Sequence, residues 1–273
     1  NLHHLHAELK SGIIKHAEPE YPIHFSDESE SILGSAGAIK KAADLLTVNE
    51  NFVLHNGDEV YFPLSDDLNN ISASHSEEER LATILVMDHK DAGNKFGAVW
   101  VDKDNRVVGF GKKPFPDATP KHYIGTMILN ARIIQHIPLK ETNILYDTLT
   151  PLLKNEQVVA HNIDCKWFET GNEADYIGAH IDTFNQIDLL SKSNHFKNML
   201  KKYLNISPDI LKTSPLVFRQ GEVSVDSSAE LSGFVWLLPG AKIGAKAEVS
   251  NTVLGEGASI LPNEKIFSKL VLL

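Results

Sequence analysis

Apolar positions recur at helix or strand spacing through most of the chain and at a spacing of six near its end. Leu2, Leu5, Leu9 and Ile13 form one stripe of an amphipathic helix expected over residues 1–12. Residues 21–27, YPIHFSD, read as a strand, residues 36–46 as a helix and residues 52–55 as the next strand. LATILVMD, residues 81–88, is an unbroken apolar run, which suits a parallel strand buried on both faces. FGAVWVDKDNRVVGFGKKP, residues 96–114, reads as a hairpin turning at Asp104-Asn105, and HYIGTMILN, residues 122–130, as a further strand. Helical patterns around ARIIQHI and LYDTLTPLLKN follow, then the strand QVVAHNID. In CKWFETGNEADYIGAHIDTFNQI, Asn172 can cap a helix whose first turn holds Glu173 and Asp175. Strands alternating with helices and interrupted by a hairpin-rich insertion predict an α/β fold.

From about residue 223 the pattern is different. Val225, Leu231, Leu237, Ile243 and Val249 lie six apart, and four places after each stand Ala229, Val235, Ala241, Ala247 and Val253. Neither a helix nor a flat sheet produces that period. A left-handed β-helix does, because each six residues form one side of a triangular coil with both positions pointing inward. Such coils bury their core only by stacking, often on neighbouring subunits, so this region predicts oligomerisation rather than chemistry. Two domains are expected: residues 1–195 as the α/β part, and 196–273 as a linker helix and β-helix.

Composition narrows the function classes. The 273 residues are 42% hydrophobic, enough for a sizeable core. A formal charge of −10 and a pI near 5.7 argue against nucleic acid or an anionic membrane as partner, so an anionic ligand must be held by local groups. The single cysteine, Cys165, excludes an intrachain disulfide, reads as a small buried residue and fits a reducing compartment. No apolar run reaches the ~18 residues of a membrane span, and the first residues lack a signal-peptide core, so a cytoplasmic location is expected. The thirteen histidines show no metal-ligand spacing, and His3, His4 and His6 read as an exposed helix face. Residue 1 is Asn and the amphipathic stripe begins at once, from which we expect sequence upstream.

The segment NFVLHNGDEVYF, residues 51–62, admits two readings. Asn56-Gly57 between apolar runs is a strong hairpin signal. Alternatively, the chain leaves a strand into a ligand crevice at its carboxyl end, with Asp58 at the mouth. We expect the second: Asp58 at the carboxyl end of a central strand, with the helix-like LSDDLNNI, residues 64–71, following.

Taken in order, ILGSAGAIKKAADLL, FVLHNGD, FGAVWVDKDNRVVGFGKKP, YIGTMILN and WFETGNEADY, closed by hexapeptide repeats, resemble the nucleotide-sugar pyrophosphorylases. Within these the chain is similar to the sugar-phosphate nucleotidyltransferases of the mannose-1-phosphate guanylyltransferase type over roughly residues 1–185. The resemblance implies a Rossmann-like nucleotidyltransferase fold, with a mixed, mostly parallel sheet flanked by helices, and a short left-handed β-helix as appendage. It also implies a reaction in which a sugar 1-phosphate attacks the α-phosphate of a nucleoside triphosphate, releasing pyrophosphate and leaving a nucleoside-diphosphate sugar.

Joining two anions needs charge neutralisation more than covalent work by the protein. The resemblance implies Mg2+ as cofactor, with Asp58 as one ligand and Glu169, in WFETG, as the second. The family has Asp at the latter place, and Glu moves the oxygens by about a bond length. The two carboxylates are expected roughly 4–7 Å apart if they share an ion. Otherwise Asp58 is a turn carboxylate and Glu169 a solvated or capping acid. Lys113 of GKKP matches the lysine of the family's E-K-P and would hold the sugar phosphate as a point charge; Lys112 stands where the family has Glu. Asp58 and Lys113 are the implied catalytic pair. Gly34, Ser35 and Gly37 match the L-G-T-A-G loop facing the nucleotide base, where Asp58 also contributes. Gly97 and Gly125 match backbone lying against the sugar; equally, they read as strand bulges.

The family's opening strand and glycine-rich G-x-G-x-R-x-x-P loop, whose N–H groups and arginine hold the triphosphate, have no counterpart here, and are expected upstream of Asn1 or absent. Residues 1–273 alone are therefore expected to turn over near background. Three functions follow: a nucleotidyltransferase of which this is a part, a catalytically inactive regulatory or sugar-nucleotide-binding relative, and a hexapeptide acyltransferase. The last is disfavoured by a repeat region of only about eight hexapeptides and by the lack of a plausible catalytic histidine after Phe196. A homo-oligomer through the β-helix is expected in either of the first two.

Overall fold

The structure is a computed structural model describing residues 1–17, 22–47, 50–64, 68–205 and 208–273. Residue 21 of the strand expected over 21–27, and residues 65–67 of the helix expected over 64–71, lie outside the described residues. Contacts divide the chain into two compact units, Asn1–His55 with Asp67–Ile163, and Asn56–Asp66 with Asp164–Leu273.

The first unit opens with α1 (His6–His16), α2 (Gly34–Lys41) and α3 (Ala43–Leu46), the last two splitting the single helix expected over 36–46. No strand forms over residues 22–27; Asp27 makes only an isolated bridge to Leu2. Ile23 there is exposed, so its alternation with Phe25 does not mark a buried face. The strand β1 (Asn51–His55) follows, and β2 (Glu59–Pro63) belongs to the second unit. The chain then returns with α4 (Leu68–Glu77), β3 (Ala82–Met87), β4 (Ala98–Val101), β5 (Val107–Gly111), β6 (Thr119–Asn130), α5 (Thr150–Leu152) and β7 (Val158–Asn162).

The sheet order is β5-β4-β6-β3-β7, with β1 also on β6. The long β6 serves two partners on one edge: β4 along 119–121 and β1 along 126–130. Strands β1, β3, β4 and β7 run one way, while β5 and β6 run against them, so the sheet is mixed as expected, but its neighbour pairs are mostly antiparallel rather than mostly parallel. Because β6 stands in the middle, β3–β7 is its one parallel pair of neighbours among the described residues. The apolar run of β3 is buried as expected, Ala82, Ile84, Leu85 and Val86 each at 3% exposure or less. Its core includes Ile39 of α2, Met127 and Leu129 of β6, and Leu149. A fully buried aliphatic side chain of this kind contributes about 1.5–3 kcal/mol.

In the second unit, β2 pairs antiparallel with β8 (Cys165–Glu169), and α6 (Glu173–Asn185), α7 (Ile187–Leu190) and α8 (Asn194–Met199) follow. Asn172 caps α6 as expected, its side-chain oxygen accepting from Asp175 N–H at 3.0 Å. Cys165 is buried and burial pushes its thiol up to about 12, so it is an inert core residue rather than a nucleophile.

The remaining strands are β9 (Leu216–Arg219), β10 (Ser224–Val225), β11 (Glu230–Leu237), β12 (Lys242–Ile243), β13 (Glu248–Leu254), β14 (Ser259–Ile260), β15 (Lys265–Phe267) and β16 (Leu270–Val271). They stack in parallel as a left-handed β-helix: Val225 lies opposite Ile243 and Leu231 opposite Val249, each three hexapeptides along. Val235, Leu237, Ala241, Ile243, Ala247 and Val249 fill its interior. The period slips once. After Ser232 opposite Ser250 the register shifts, so that Val235 faces Thr252 and Leu237 faces Leu254. Asn251 takes a φ of 48° at this place. Val253, which a strict period of six places inside the coil, therefore packs against the helical cluster, while Thr252 takes its place opposite Val235 and Leu254 lines the coil opposite Leu237.

Candidate active site

The ribbon β2/β8 organises the acidic residues. In an antiparallel pair alternate residues share a face, and Glu59 stands directly opposite Glu169, Tyr61 opposite Trp167. Two like charges so placed repel. The repulsion is offset at Glu59, whose carboxylate accepts from Asn56 Nδ2 at 2.7 Å and from Trp167 Nε1 at 2.7 Å. Burial nevertheless raises the Glu59 pKa, and the charges of Asp58 and Glu169 push it the same way.

Asp58 lies in the Asn56–Glu59 turn. Its carbonyl accepts two bonds from Thr170, the residue after β8: N–H at 2.7 Å and Oγ1 at 2.9 Å. Its side chain lies over Gly171, where an added Cβ would stand 3.2 Å from Oδ2. The two expected ligands are thus carried on adjoining strand ends tied by backbone bonds, both side chains exposed, with half-buried Glu59 between them in the chain pairing. Among the described residues no group of three or more His, Cys, Asp or Glu is placed to enclose a metal. Two exposed carboxylates are oxygen donors of the kind a hard divalent ion takes. Glu59 was missed from sequence because residues 59–63 carried no recognised strand.

The hairpin reading of Asn56-Gly57 fails, since β1 pairs with β6 and β2 with β8. The strand before Asp58 is not central, however. Among the described residues β1 has β6 as its one neighbour, and Val53 is 63% exposed while Phe52 and Leu54 pack on the core.

The other expected site residues belong to the first unit. Gly34, Ser35 and Gly37 lie together at the start of α2, against residues 140–144. A Cβ on Gly37 would fall 2.2 Å from the Lys140 carbonyl oxygen, and one on Gly34 2.6 Å from that of Thr142. Ser35 Oγ accepts from Ile144 N–H at 2.9 Å. The close approach these glycines permit is thus made with the chain's own backbone. Gly97 and Lys113 lie just beyond the paired residues Ala98 and Gly111, at one end of the β4/β5 hairpin. A Cβ on Gly97 would meet Tyr146 Oη at 2.9 Å, and Lys113 is exposed. Gly125, with φ 78°, sits where the β3–β6 register shifts, which makes it a bulge glycine.

The nucleotidyl transferase family model matches residues 3–186, and the chain belongs to this family. It is 26% identical over 230 residues to the mannose-1-phosphate guanyltransferase of Pichia angusta, an alignment covering 82% of this chain and 57% of that protein. With the enzyme of that name from Candida albicans it shares 27% over 204 residues, covering 72% and 54%. The mannose-1-phosphate guanylyltransferase catalytic subunit beta of Dictyostelium discoideum is 25% identical over 194 residues, covering 68% and 53%. The chain thus spans about half the length of the curated relatives it matches. Among solved structures, HddC from Yersinia pseudotuberculosis, complexed with GMP-PN, matches with a TM-score of 0.51 at 22% identity over 63% of this chain and 72% of that one, a likeness of fold. Among the described residues no helix is long and apolar enough to cross a membrane.

Proposed function

We propose that the chain is part of a sugar-1-phosphate nucleotidyltransferase, converting a nucleoside triphosphate and a hexose 1-phosphate into a nucleoside-diphosphate sugar and pyrophosphate. The observation that supports it most is the Thr170 clamp on Asp58, which ties the NGD turn to the strand end bearing Glu169. Family membership and the mannose-1-phosphate guanyltransferase relatives point to the same reaction.

In this reading a phosphate oxygen of the sugar forms the new P–O bond to the α-phosphorus while the bond to pyrophosphate breaks. Asp58 and Glu169 would hold Mg2+, which when bound would neutralise part of the phosphates' charge. Lys113 holds the sugar phosphate by its ammonium, Gly34, Ser35 and Gly37 lie toward the nucleotide, and Gly97 and Gly125 toward the sugar. Glu59 orients Asn56 and Trp167 rather than reacting, because both its oxygens are committed to those donors. An α/β domain over 1–195, a homo-oligomer through the β-helix and a cytoplasmic location complete the proposal. Exposed Leu261 and Phe267 on the solenoid support the oligomer, and the lone buried Cys165 supports the compartment.

The test is chromatographic detection of nucleoside-diphosphate sugar formed by the full-length gene product with Mg2+, mannose 1-phosphate or glucose 1-phosphate, and GTP, UTP or dTTP. Product with one pair is expected. Nucleotide-sugar binding with no product under any pair would replace this reading by the regulatory one.

A further inference from the structure

The β2/β8 ribbon has a second face. Because successive side chains alternate, Val60, Phe62 and Phe168 point away from Glu59 and Glu169, and they wall a cavity of about 280 Å³ within the second unit. The volume exceeds the ~150 Å³ of an apolar cavity able to hold benzene. Helix α6 and strands β9 and β11 complete it with Tyr176, Phe184, Phe218 and Trp236. No Asp, Glu, Lys or Arg side chain lines it among the described residues, and its one titratable base is His180. A charged occupant would lose its hydration without compensation, so the chemistry of the walls selects a neutral one.

The rings favour a flat one. Phe62 stands edge-on to Phe196 at 5.1 Å, and Phe218 and Trp236 lie 5.3 Å apart at 35°. An aromatic guest can meet such rings edge to face or offset. Beside the hydroxyls of Thr170, Tyr176 and Thr183, the lining offers one ring-nitrogen acceptor. His180 Nδ1 donates to the Tyr176 carbonyl at 2.9 Å, which leaves Nε2, across the ring, as the acceptor of the neutral tautomer. The ring is held by stacking on Phe234 at 5.4 Å and 16° and by Trp236 edge-on at 5.9 Å. Burial lowers the His180 pKa and so keeps the ring neutral.

We propose that this cavity is a binding site for a neutral, planar aromatic molecule of one or two fused rings whose single N–H or O–H donates to His180 Nε2. The site does not depend on the reading of Asp58 and Glu169, and shares with it the ribbon and Thr170. Thr170 lines the cavity and also holds the Asp58 carbonyl, so an occupant would touch the clamp of the acidic turn from behind.

Indole and N-methylindole, alike in shape but differing in the donor, are the probes. Calorimetric titration of the unmodified chain is expected to give saturable indole binding with a dissociation constant of about 1 mM or tighter, and N-methylindole about 10-fold weaker. In His180→Phe, which keeps the stack on Phe234, the two probes should bind equally. Ala179→Leu, which puts a side chain into the cavity, should abolish binding of both. No saturable indole binding, equal affinity of the unmodified chain for the two probes, or undiminished binding in a folded Ala179→Leu would overturn the proposal.

Discussion

His75 offers a test of the first unit's core with a magnitude that can be worked in advance. It lies on α4 at 0% exposure, its Nδ1 2.9 Å from Thr83 Oγ1, while Nε2 is buried with no hydrogen-bond partner among the described residues. Burial first, then the charges of Arg80 and Arg132, lower its pKa from 6.5 to about 4. The folded chain therefore refuses a proton that the unfolded chain accepts below pH 6.5. Stability from this group is complete above the unfolded pKa and is lost as pH falls toward the folded one. At about 1.4 kcal/mol per unit, the loss between about pH 7.5 and about pH 5 is ~2 kcal/mol. Urea unfolding at both pH values, on the unmodified chain and on His75→Leu with Thr83→Val to remove the orphaned hydroxyl, isolates the term. Other groups titrate equally in both, so the double variant should show a pH dependence shallower by ~2 kcal/mol. Parallel stability profiles would refute the burial argument.

Two further substitutions probe each unit separately. Gly37→Ala must displace the Lys140 carbonyl and should lower stability by about 2–3 kcal/mol in urea; an unchanged midpoint would show that the approach is not tight. Ser193 donates its hydroxyl to the Pro63 carbonyl at 2.5 Å and caps α8 by accepting from Phe196 N–H. Ser193→Ala should cost about 1–2 kcal/mol in thermal unfolding, and a loss below about 0.3 kcal/mol would place the tie elsewhere.

What could be read from the sequence was what periodicity determines. The buried run of β3, the β4/β5 hairpin with Asn105 at φ 60°, and the stacked hexapeptides all announce themselves by local spacing. Pairing partners do not. That β1 joins β6, and that β2 leaves the turn to join β8, are non-local choices that NFVLHNGDEVYF does not encode by itself. The slip at Asn251 escaped because Val253 is apolar and continues the period of six, while Thr252, which takes its place, is polar. At the candidate site, Asp58 and Glu169 were singled out through resemblance of motifs. Glu59 was not, since its role depends on facing Glu169 across a ribbon whose first strand had not been read.

The central claim rests on Asp58, and pyrophosphate release tests it most directly. With the full-length protein, Mg2+, a hexose 1-phosphate and its nucleoside triphosphate, Asp58→Asn should keep the folded spectrum while turnover falls about 10²-fold or more, through lost stabilisation of transition-state charge. Turnover by Asp58→Asn within about twofold of the unmodified protein would contradict the assignment of this turn to the reacting phosphates.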